Sequence, residues 1–323
     1  MCDSIKATKQ MIEKQVSDGK ISVFGVPFSK YQKVYASTNE NINGYMKKLD
    51  FKDKTSTLAV MASGDLAFNT AFYGIKDIDT FDTNVLTQYY ALGIKRSAIL
   101  AFSYKEYLLF LNKILDENIS LEELTEIIKS LLSYMDYEFK LYWEEVLSYN
   151  YLVQKDSKNP LNLFHMLLIN IQGAIKNPIN NAYLLSEENY NILKNNLSKV
   201  NFSFQNIECF ELPHKIKKQY DFIFLSNIAD YFYKQFGYSW TYDNLKKVEE
   251  EFKQIQKDNG ILALAYLYKM YLINIDKYMT HPIKNSKVKV SDLKIGQLIT
   301  FPSIIDNREC KPVHDGLILS KKK

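Results

Sequence analysis

The order of hydrophobic and polar residues changes along the chain between a pattern typical of strands and a pattern typical of helices. Short apolar runs between polar residues predict buried parallel strands, first at TLAVMAS (57–63) and again at 78–81. Each run precedes a stretch with helical spacing, LAFNTAFYG (66–74) and NVLTQYYALGIKRSAILAF (84–102). Strands that alternate with helices at this spacing predict an α/β fold with a doubly wound, mostly parallel sheet.

The strand pattern stops after residue 102 and returns near residue 200. Residues 103–180 contain several helix-period stretches and no good strand, which predicts a helical insertion. Strand patterns then return in five runs: 200–212, 220–228, 260–272, 297–301 and 316–320. The last two of these could form a closing antiparallel pair at the C-terminal edge of the sheet.

These patterns predict one sheet domain interrupted by helices. Residues 1–54 form an N-terminal lead-in of helical and irregular character, and 103–180 form the helical insertion. Residues 55–102 and 181–323 together make the Rossmann-like sheet domain.

Charge and composition narrow the classes of protein to consider. The chain has 41 Lys and Arg residues against 37 Asp and Glu, a formal net charge of +4 over 323 residues. A balance so close to neutral gives no support to nucleic-acid binding by bulk charge. The longest apolar stretch, 261–275, is interrupted by Lys269 and is too short to span a bilayer.

Cysteine and histidine usage points to a reducing compartment and away from metal chemistry. Cys2, Cys209 and Cys310 are widely spaced and form no CxxC pair, which argues against a disulfide framework and a structural zinc site. The four histidines include no i, i+4 pair, so no metal site is expected. The N-terminus lacks the layout of a signal peptide, and we expect a cytoplasmic protein.

The turn after the first predicted strand is a candidate ligand site. It reads Ser63-Gly64-Asp65, and small residues there let the backbone approach a ligand at the carboxyl end of a parallel strand. A single glycine does not match the GxGxxG pattern, so pyrophosphate binding is not indicated. A plain strand-to-helix turn is the alternative.

Asp82 ends the second predicted strand, 17 residues after Asp65. At this position a carboxylate can accept hydrogen bonds from both ribose hydroxyls of an adenosine. The alternative is that Asp82 caps the next helix.

Polar residues also follow the third and fourth predicted strands. Asn206 and Glu208 could contact an adenine amino group, while Ser226 and Asn227 end the next strand, with Asp230 one turn further on. Turn formation for the asparagines and helix capping for the aspartate are the alternatives.

Several segments carry a resemblance to a known group of enzymes. They are TNENINGYM (38–46), VMASGDLAFNTAFYG (60–74) and FDTNVLTQYYALGIKRSAI (81–99), with weaker matches in LSYMDYEFKLYW and SNIADYF. The strand order resembles the class I fold of S-adenosylmethionine-dependent transferases. The chain more closely resembles the 3-amino-3-carboxypropyltransferase family of betaine-lipid synthesis. In that family a Ser/Gly-Gly-Asp turn and an acid-x-Asn strand end recur, as in Asp82-x-Asn84, and Lys95-Arg96-Ser97-Ala98 approximates its Lys-Ala helix.

The resemblance implies an S-adenosylmethionine-dependent transferase with no metal. Its expected reaction moves the 3-amino-3-carboxypropyl group to a small-molecule acceptor and releases methylthioadenosine. A methyltransferase and a non-catalytic binding protein for such a ligand are the two alternatives.

The site residues expected on this interpretation fall into two groups. The cofactor-binding candidates are Asn39, Ser63, Gly64, Asp65, Asp82, Asn84, Asn206, Glu208, Ser226 and Asn227. The catalytic candidates on the acceptor side are Tyr35, Glu40, Asp230 and Tyr231, with Tyr266 a further tyrosine near a strand end. Packing is the alternative for the tyrosines, and helix capping is the alternative for Glu40.

Overall fold

A computed structural model gives the arrangement of most of the chain. It describes residues 34–38, 40–116, 118–152, 161, 165, 168–169, 180–226, 242–271, 297–302 and 313–322.

Nine strands occur in the described residues. In chain order they are β1 (Val34–Tyr35), β2 (Ser56–Val60), β3 (Asp77–Asp82), β4 (Leu168–Ile169), β5 (Asn201–Asn206), β6 (Tyr220–Phe224), β7 (Gln256–Tyr271), β8 (Gln297–Pro302) and β9 (Val313–Lys321). Seven of them form one sheet in the order β5-β3-β2-β6-β7-β9-β8, while β1 and β4 pair separately as two short parallel strands.

The sheet is mostly parallel, as predicted. Parallel pairing joins β5, β3, β2, β6 and β7, whereas β9 runs antiparallel to both β7 and β8. The antiparallel pair predicted for the two C-terminal runs is therefore confirmed. The α/β architecture with this sheet is compatible with a Rossmann-like fold.

Helices connect the strands and fill the interval before β5. They are α1 (Ile42–Met46), α2 (Asp65–Phe72), α3 (Leu86–Gln88), a π-helix (Tyr89–Lys95), α4 (Arg96–Ala101), α5 (Tyr104–Ile114), α6 (Leu121–Leu131), α7 (Tyr137–Leu152), α8 (Glu187–Leu197), α9 (Leu212–Lys215) and α10 (Tyr242–Phe252). Short 3₁₀ turns cover Leu132–Tyr134, Ala182–Leu184, Cys209–Glu211 and Lys253–Ile255. Within the described residues, no helix combines the length and apolar character needed to cross a membrane.

The predicted insertion contains the helices α5, α6 and α7, whose apolar faces join the same hydrophobic core as the sheet. The expectation that 103–180 holds no strand is wrong, because the two-residue strand β4 lies there and pairs with β1. Ser103 and Glu106 form a capping box that starts α5. Trp143 of α7 is fully buried and donates from its indole Nε1 to the carbonyl oxygen of Tyr89, at 3.1 Å. A Cβ at Gly93 would lie 2.8 Å from this indole nitrogen, so the glycine allows α7 to pack closely against the π-helix. Buried tyrosines such as Tyr90 and Tyr183 show that packing accounts for part of the aromatic content.

Candidate functional site

The candidate site lies at the carboxyl edge of the parallel strands, where the direction of chain progression reverses. From β2 the chain moves outward to β3 and β5, and it later returns to β6 and β7 on the other side of β2. In open α/β sheets, ligands bind in the crevice at such a switch point.

The backbone is unusual just past both strands that border this crevice. Ala62, two residues after β2, has φ = 41°, and Ser226, two residues after β6, has φ = 46°. Residues other than glycine seldom adopt positive φ, and such conformations occur often at ligand sites. Gly64 has φ = 80°, and a Cβ there would lie 2.7 Å from Cβ of Ala91 in the π-helix. The turn after β2 therefore contains a strained residue, Ala62, and a closely packed one, Gly64. Only glycine fits at position 64, because any side chain there would meet the π-helix.

The Asp82 carboxylate links the loop that follows β2 to the loop that follows β3. Its Oδ2 accepts a hydrogen bond from the backbone N–H of Ala62 at 3.0 Å, and its Oδ1 accepts from that of Asn84 at 2.9 Å. The backbone N–H of Thr83 and the side chain of Thr87 also hydrogen-bond to this carboxylate, so a ribose would share its oxygens with these donors. Asp82 does not cap the next helix: α3 has Val85 at its N-cap position and no side-chain cap, and Asn84 Oδ1 accepts from Leu86 N at 3.1 Å within the preceding turn.

The surroundings of Asp82 disfavour its negative charge. Burial raises the pKa of Asp82 to about 6, although hydrogen bonds from Asn84 and Ala62 act in the opposite direction. The group therefore titrates just below neutral pH and is mostly ionised at pH 7.

Asp65, the other acid predicted in the site, is fully engaged within the protein. Its Oδ1 accepts from Lys95 Nζ at 2.7 Å and from the Tyr183 hydroxyl at 2.6 Å. Its Oδ2 accepts from the Thr38 amide at 2.7 Å and from Ser63 Oγ at 2.8 Å. These four bonds match the acceptor capacity of a carboxylate, so in this arrangement Asp65 positions other groups and does not face a ligand.

Lys95 is the partner that the sequence reasoning did not assign to the site. Its side chain and that of Asp65 are each 1% exposed, and its ammonium also donates to the carbonyl oxygens of Ala36 and Ser63, both at 3.2 Å. Burial lowers the pKa of Lys95, while the Asp65 carboxylate acts to raise it. A lone lysine inside the apolar helical stretch 84–102 was the available signal, because a buried ammonium requires an acceptor.

The polypeptide before α1 crosses the carboxyl edge of the sheet. We call Ala36–Thr38, Glu40 and Asn41 the crossing segment; Asn39 lies outside the described residues. At one end the Lys95 ammonium and the Tyr90 hydroxyl both donate to the Ala36 carbonyl. At the other end, the Ser226 hydroxyl donates to Glu40 Oε1, which brings this buried carboxylate to the end of β6.

The Asn206 side chain contacts the backbone at and just after Asp82. Its Nδ2 donates to the carbonyl oxygens of Asp82 and Thr83, both at 2.9 Å. Both N–H groups of the amide are used in this way, so any contact with an adenine amino group must come from Oδ1, which accepts.

The remaining predicted residues lie farther out or outside the described part. Glu208 is exposed beyond the end of β5, and Tyr35 is 38% exposed in β1. Asn227, Asp230 and Tyr231 lie outside the described residues, as does the side chain of Tyr266.

The structure thus brings the described candidates together in two groups on either side of β2. Asp82, Asn84 and Asn206 lie on the β3 side, and Glu40 and Ser226 lie on the β6 side. Ser63, Gly64 and Asp65 belong to the turn and helix start that follow β2, between these two groups.

Metal-binding geometry is considered for the described residues of the chain only. No group of three or more His, Cys, Asp or Glu residues there is arranged to hold a metal ion. Cys209 is buried, and burial raises the pKa of its thiol.

Comparisons with known proteins give no assignment. No protein-family model matches the chain, and a search of curated proteins finds no match.

Proposed function

We propose that the chain is an S-adenosylmethionine-dependent transferase that moves the 3-amino-3-carboxypropyl group to a small-molecule acceptor. The observation that carries the proposal is Asp82, which ends β3 beside the switch point with both oxygens oriented by backbone amides. A carboxylate at this place can accept both hydroxyls of an adenosine ribose. Because no metal is required for this transfer, the proposed site needs only polar side chains, backbone groups and aromatic surface.

The strand order supports the same scaffold. Counted within the sheet, the parallel strands run three-two-one-four-five, and two further strands extend the sheet through antiparallel pairing. This order agrees with the class I transferase fold that the sequence resembles. The group transferred is assigned from the 3-amino-3-carboxypropyltransferase resemblance of segments 38–46, 60–74 and 81–99.

Each part of the proposed co-substrate has a place along the carboxyl edge. Asn206 Oδ1 at the end of β5 suits the adenine amino group, and Asp82 at the end of β3 suits the ribose. Ala62, which is partly exposed in the turn after β2, suits the sulfonium region above that strand.

The proposed chemistry is a single displacement. An acceptor nucleophile forms a bond to Cγ of the methionyl arm while the S–Cγ bond breaks. The electron pair of the S–Cγ bond stays on sulfur and neutralises the sulfonium, and the acceptor loses a proton. The protein must align the nucleophile and accept this proton. The sequence predicts Tyr35, Glu40, Asp230 and Tyr231 as the acceptor-side residues.

Product analysis tests the proposal. The purified protein is incubated with S-adenosylmethionine labelled in the methionyl carboxyl group and with pools of small amines and alcohols. Methylthioadenosine together with a labelled adduct supports the proposal, whereas S-adenosylhomocysteine supports the methyltransferase alternative. Binding without either product supports the non-catalytic alternative. Calorimetry that detects no binding at millimolar S-adenosylmethionine would reject all three.

A further inference from the structure

Glu40 occupies a distinct position on the side of the crevice opposite to Asp82. Its side chain is 5% exposed and accepts a hydrogen bond from the Ser226 hydroxyl, two residues past the end of β6. Asp82 ends β3, and β2 lies between β3 and β6 in the sheet. The two carboxylates therefore flank the turn that follows β2.

The spacing of strands gives the distance between these two positions. Neighbouring strands lie about 4.8 Å apart, so the ends of β3 and β6 are separated by about 10 Å. In S-adenosylmethionine, seven bonds of about 1.5 Å join ribose C3′ to the α-amino nitrogen, an extended span of about 9 Å. With the ribose at Asp82, the α-ammonium can reach the end of β6 once the methionyl arm extends over β2.

The charge and burial of Glu40 suit a cation at that point. A buried carboxylate is stabilised by a positive charge and by hydrogen bonds. Ser226 holds one carboxylate oxygen, and the crossing segment is itself tied to Asp65 through the Thr38 amide at 2.7 Å. Glu40 N also donates to Thr38 Oγ1 at 3.0 Å, which fixes the backbone on which the carboxylate is carried.

We infer that the Glu40 carboxylate binds the α-ammonium of the methionyl arm, so that Glu40 is a binding residue that orients the transferred group. The inference rests on the proposed function. It gives Glu40 a role different from the acceptor-side chemistry expected from the sequence. It also makes the crossing segment the element that recognises the amino-acid half of the co-substrate, while Asp82 recognises the nucleoside half.

Binding of three related ligands tests this division. S-adenosylmethionine and S-adenosylhomocysteine carry the α-ammonium, whereas methylthioadenosine contains the same nucleoside without it. Calorimetry compares the wild-type protein with Glu40→Gln, which keeps the shape and an oxygen acceptor for Ser226. Glu188→Gln, at an exposed position in α8, is the matched control for loss of one carboxylate.

The expected result is selective. Glu40→Gln weakens binding of both amino-acid ligands by about 10- to 100-fold, as for a lost charge-assisted hydrogen bond, and leaves methylthioadenosine affinity unchanged. Equal weakening for all three ligands, or no weakening for any, overturns the inference. Wild-type protein that binds none of the three rejects the proposed function itself, and the inference fails with it.

Discussion

Replacing Asp82 with asparagine removes the negative charge at the end of β3 while keeping the size of the side chain. Under the proposed function, both ribose hydroxyls donate to this carboxylate. Each charge-assisted hydrogen bond contributes about 1.5–3 kcal/mol, and asparagine loses at least one of them. We therefore expect methylthioadenosine to bind Asp82→Asn at least about tenfold more weakly at pH 7.5, measured by calorimetry.

The raised pKa of Asp82 adds a pH signature to this loss. With a pKa of about 6, the carboxyl group is mostly ionised at pH 7.5 and mostly protonated at pH 5. Wild-type affinity for methylthioadenosine should therefore fall by about tenfold between these two pH values, and the affinity of Asp82→Asn should stay level.

The same group gives a stability test that needs no ligand. Because its folded pKa is raised from 3.8 to about 6, the native state binds more protons than the unfolded state in this interval, and stability falls as pH rises through it. From this residue alone, linkage predicts that the free energy of unfolding of the wild type falls by about 1 kcal/mol between pH 5 and pH 7. Urea unfolding of wild type and Asp82→Asn at both pH values isolates this term, since other titrating groups cancel in the difference. Equal pH dependence of stability in the two proteins, together with unchanged ligand affinity, would refute the reasoning about Asp82.

Three further predictions concern the residues around the site and the opposite edge of the sheet. Gly64→Ala adds a Cβ 2.7 Å from a neighbouring side chain at φ = 80°, and we expect a loss of at least about 2 kcal/mol in urea unfolding. Gly74→Ala, at φ = 93° with open space around it, is the control, and equal losses would contradict the steric argument. Lys95→Met leaves the buried Asp65 charge uncompensated and should lower the free energy of unfolding by about 3–5 kcal/mol. The double variant Lys95→Met/Asp65→Asn should recover part of this loss, and losses that simply add would contradict the coupling. Burial alone would raise the pKa of Asp221, but hydrogen bonds from a lysine ammonium and backbone amides lower this pKa to about 2. The ionised Asp221 therefore contributes about 2 kcal/mol to the free energy of unfolding, and this contribution is lost as the pH falls from about 4 to 2. Asp221→Asn should flatten acid unfolding in that interval, and an unchanged acid profile would contradict the assignment.

The sheet could be predicted closely because its signal is local. The apolar residues of β2, β3 and β6 form short local runs, so these strands lie within one or two residues of their predicted starts. The carboxyl ends were predicted less well. The first run was expected to extend to residue 63, but β2 ends at Val60 because the chain turns through the positive φ of Ala62. A positive φ at alanine has no sequence signature, since glycine is the residue that marks such turns.

The separate roles of the two site acids could not be predicted from their spacing. Asp65 and Asp82 each follow a predicted strand, and both were expected to face the ligand. The difference arises from Lys95, 30 residues after Asp65, and from Tyr183, 118 residues after it. Those partners are brought to Asp65 by packing of the π-helix and of the segment before α8, which no local pattern reveals.

The buried Lys95–Asp65 pair is explained better by the positions it fixes than by the stability it adds. Replacing such a pair with apolar residues is often neutral or stabilising, because the attraction barely exceeds the cost of removing both charges from water. Here the two side chains hold five separate backbone or hydroxyl groups: the carbonyl oxygens of Ala36 and Ser63, the Thr38 amide, and the hydroxyls of Ser63 and Tyr183. Two of these groups belong to the crossing segment, and two belong to the turn after β2. Under the proposed function the ligand lies between that turn and that segment, so the ion pair would hold these two walls of the site in fixed relative positions.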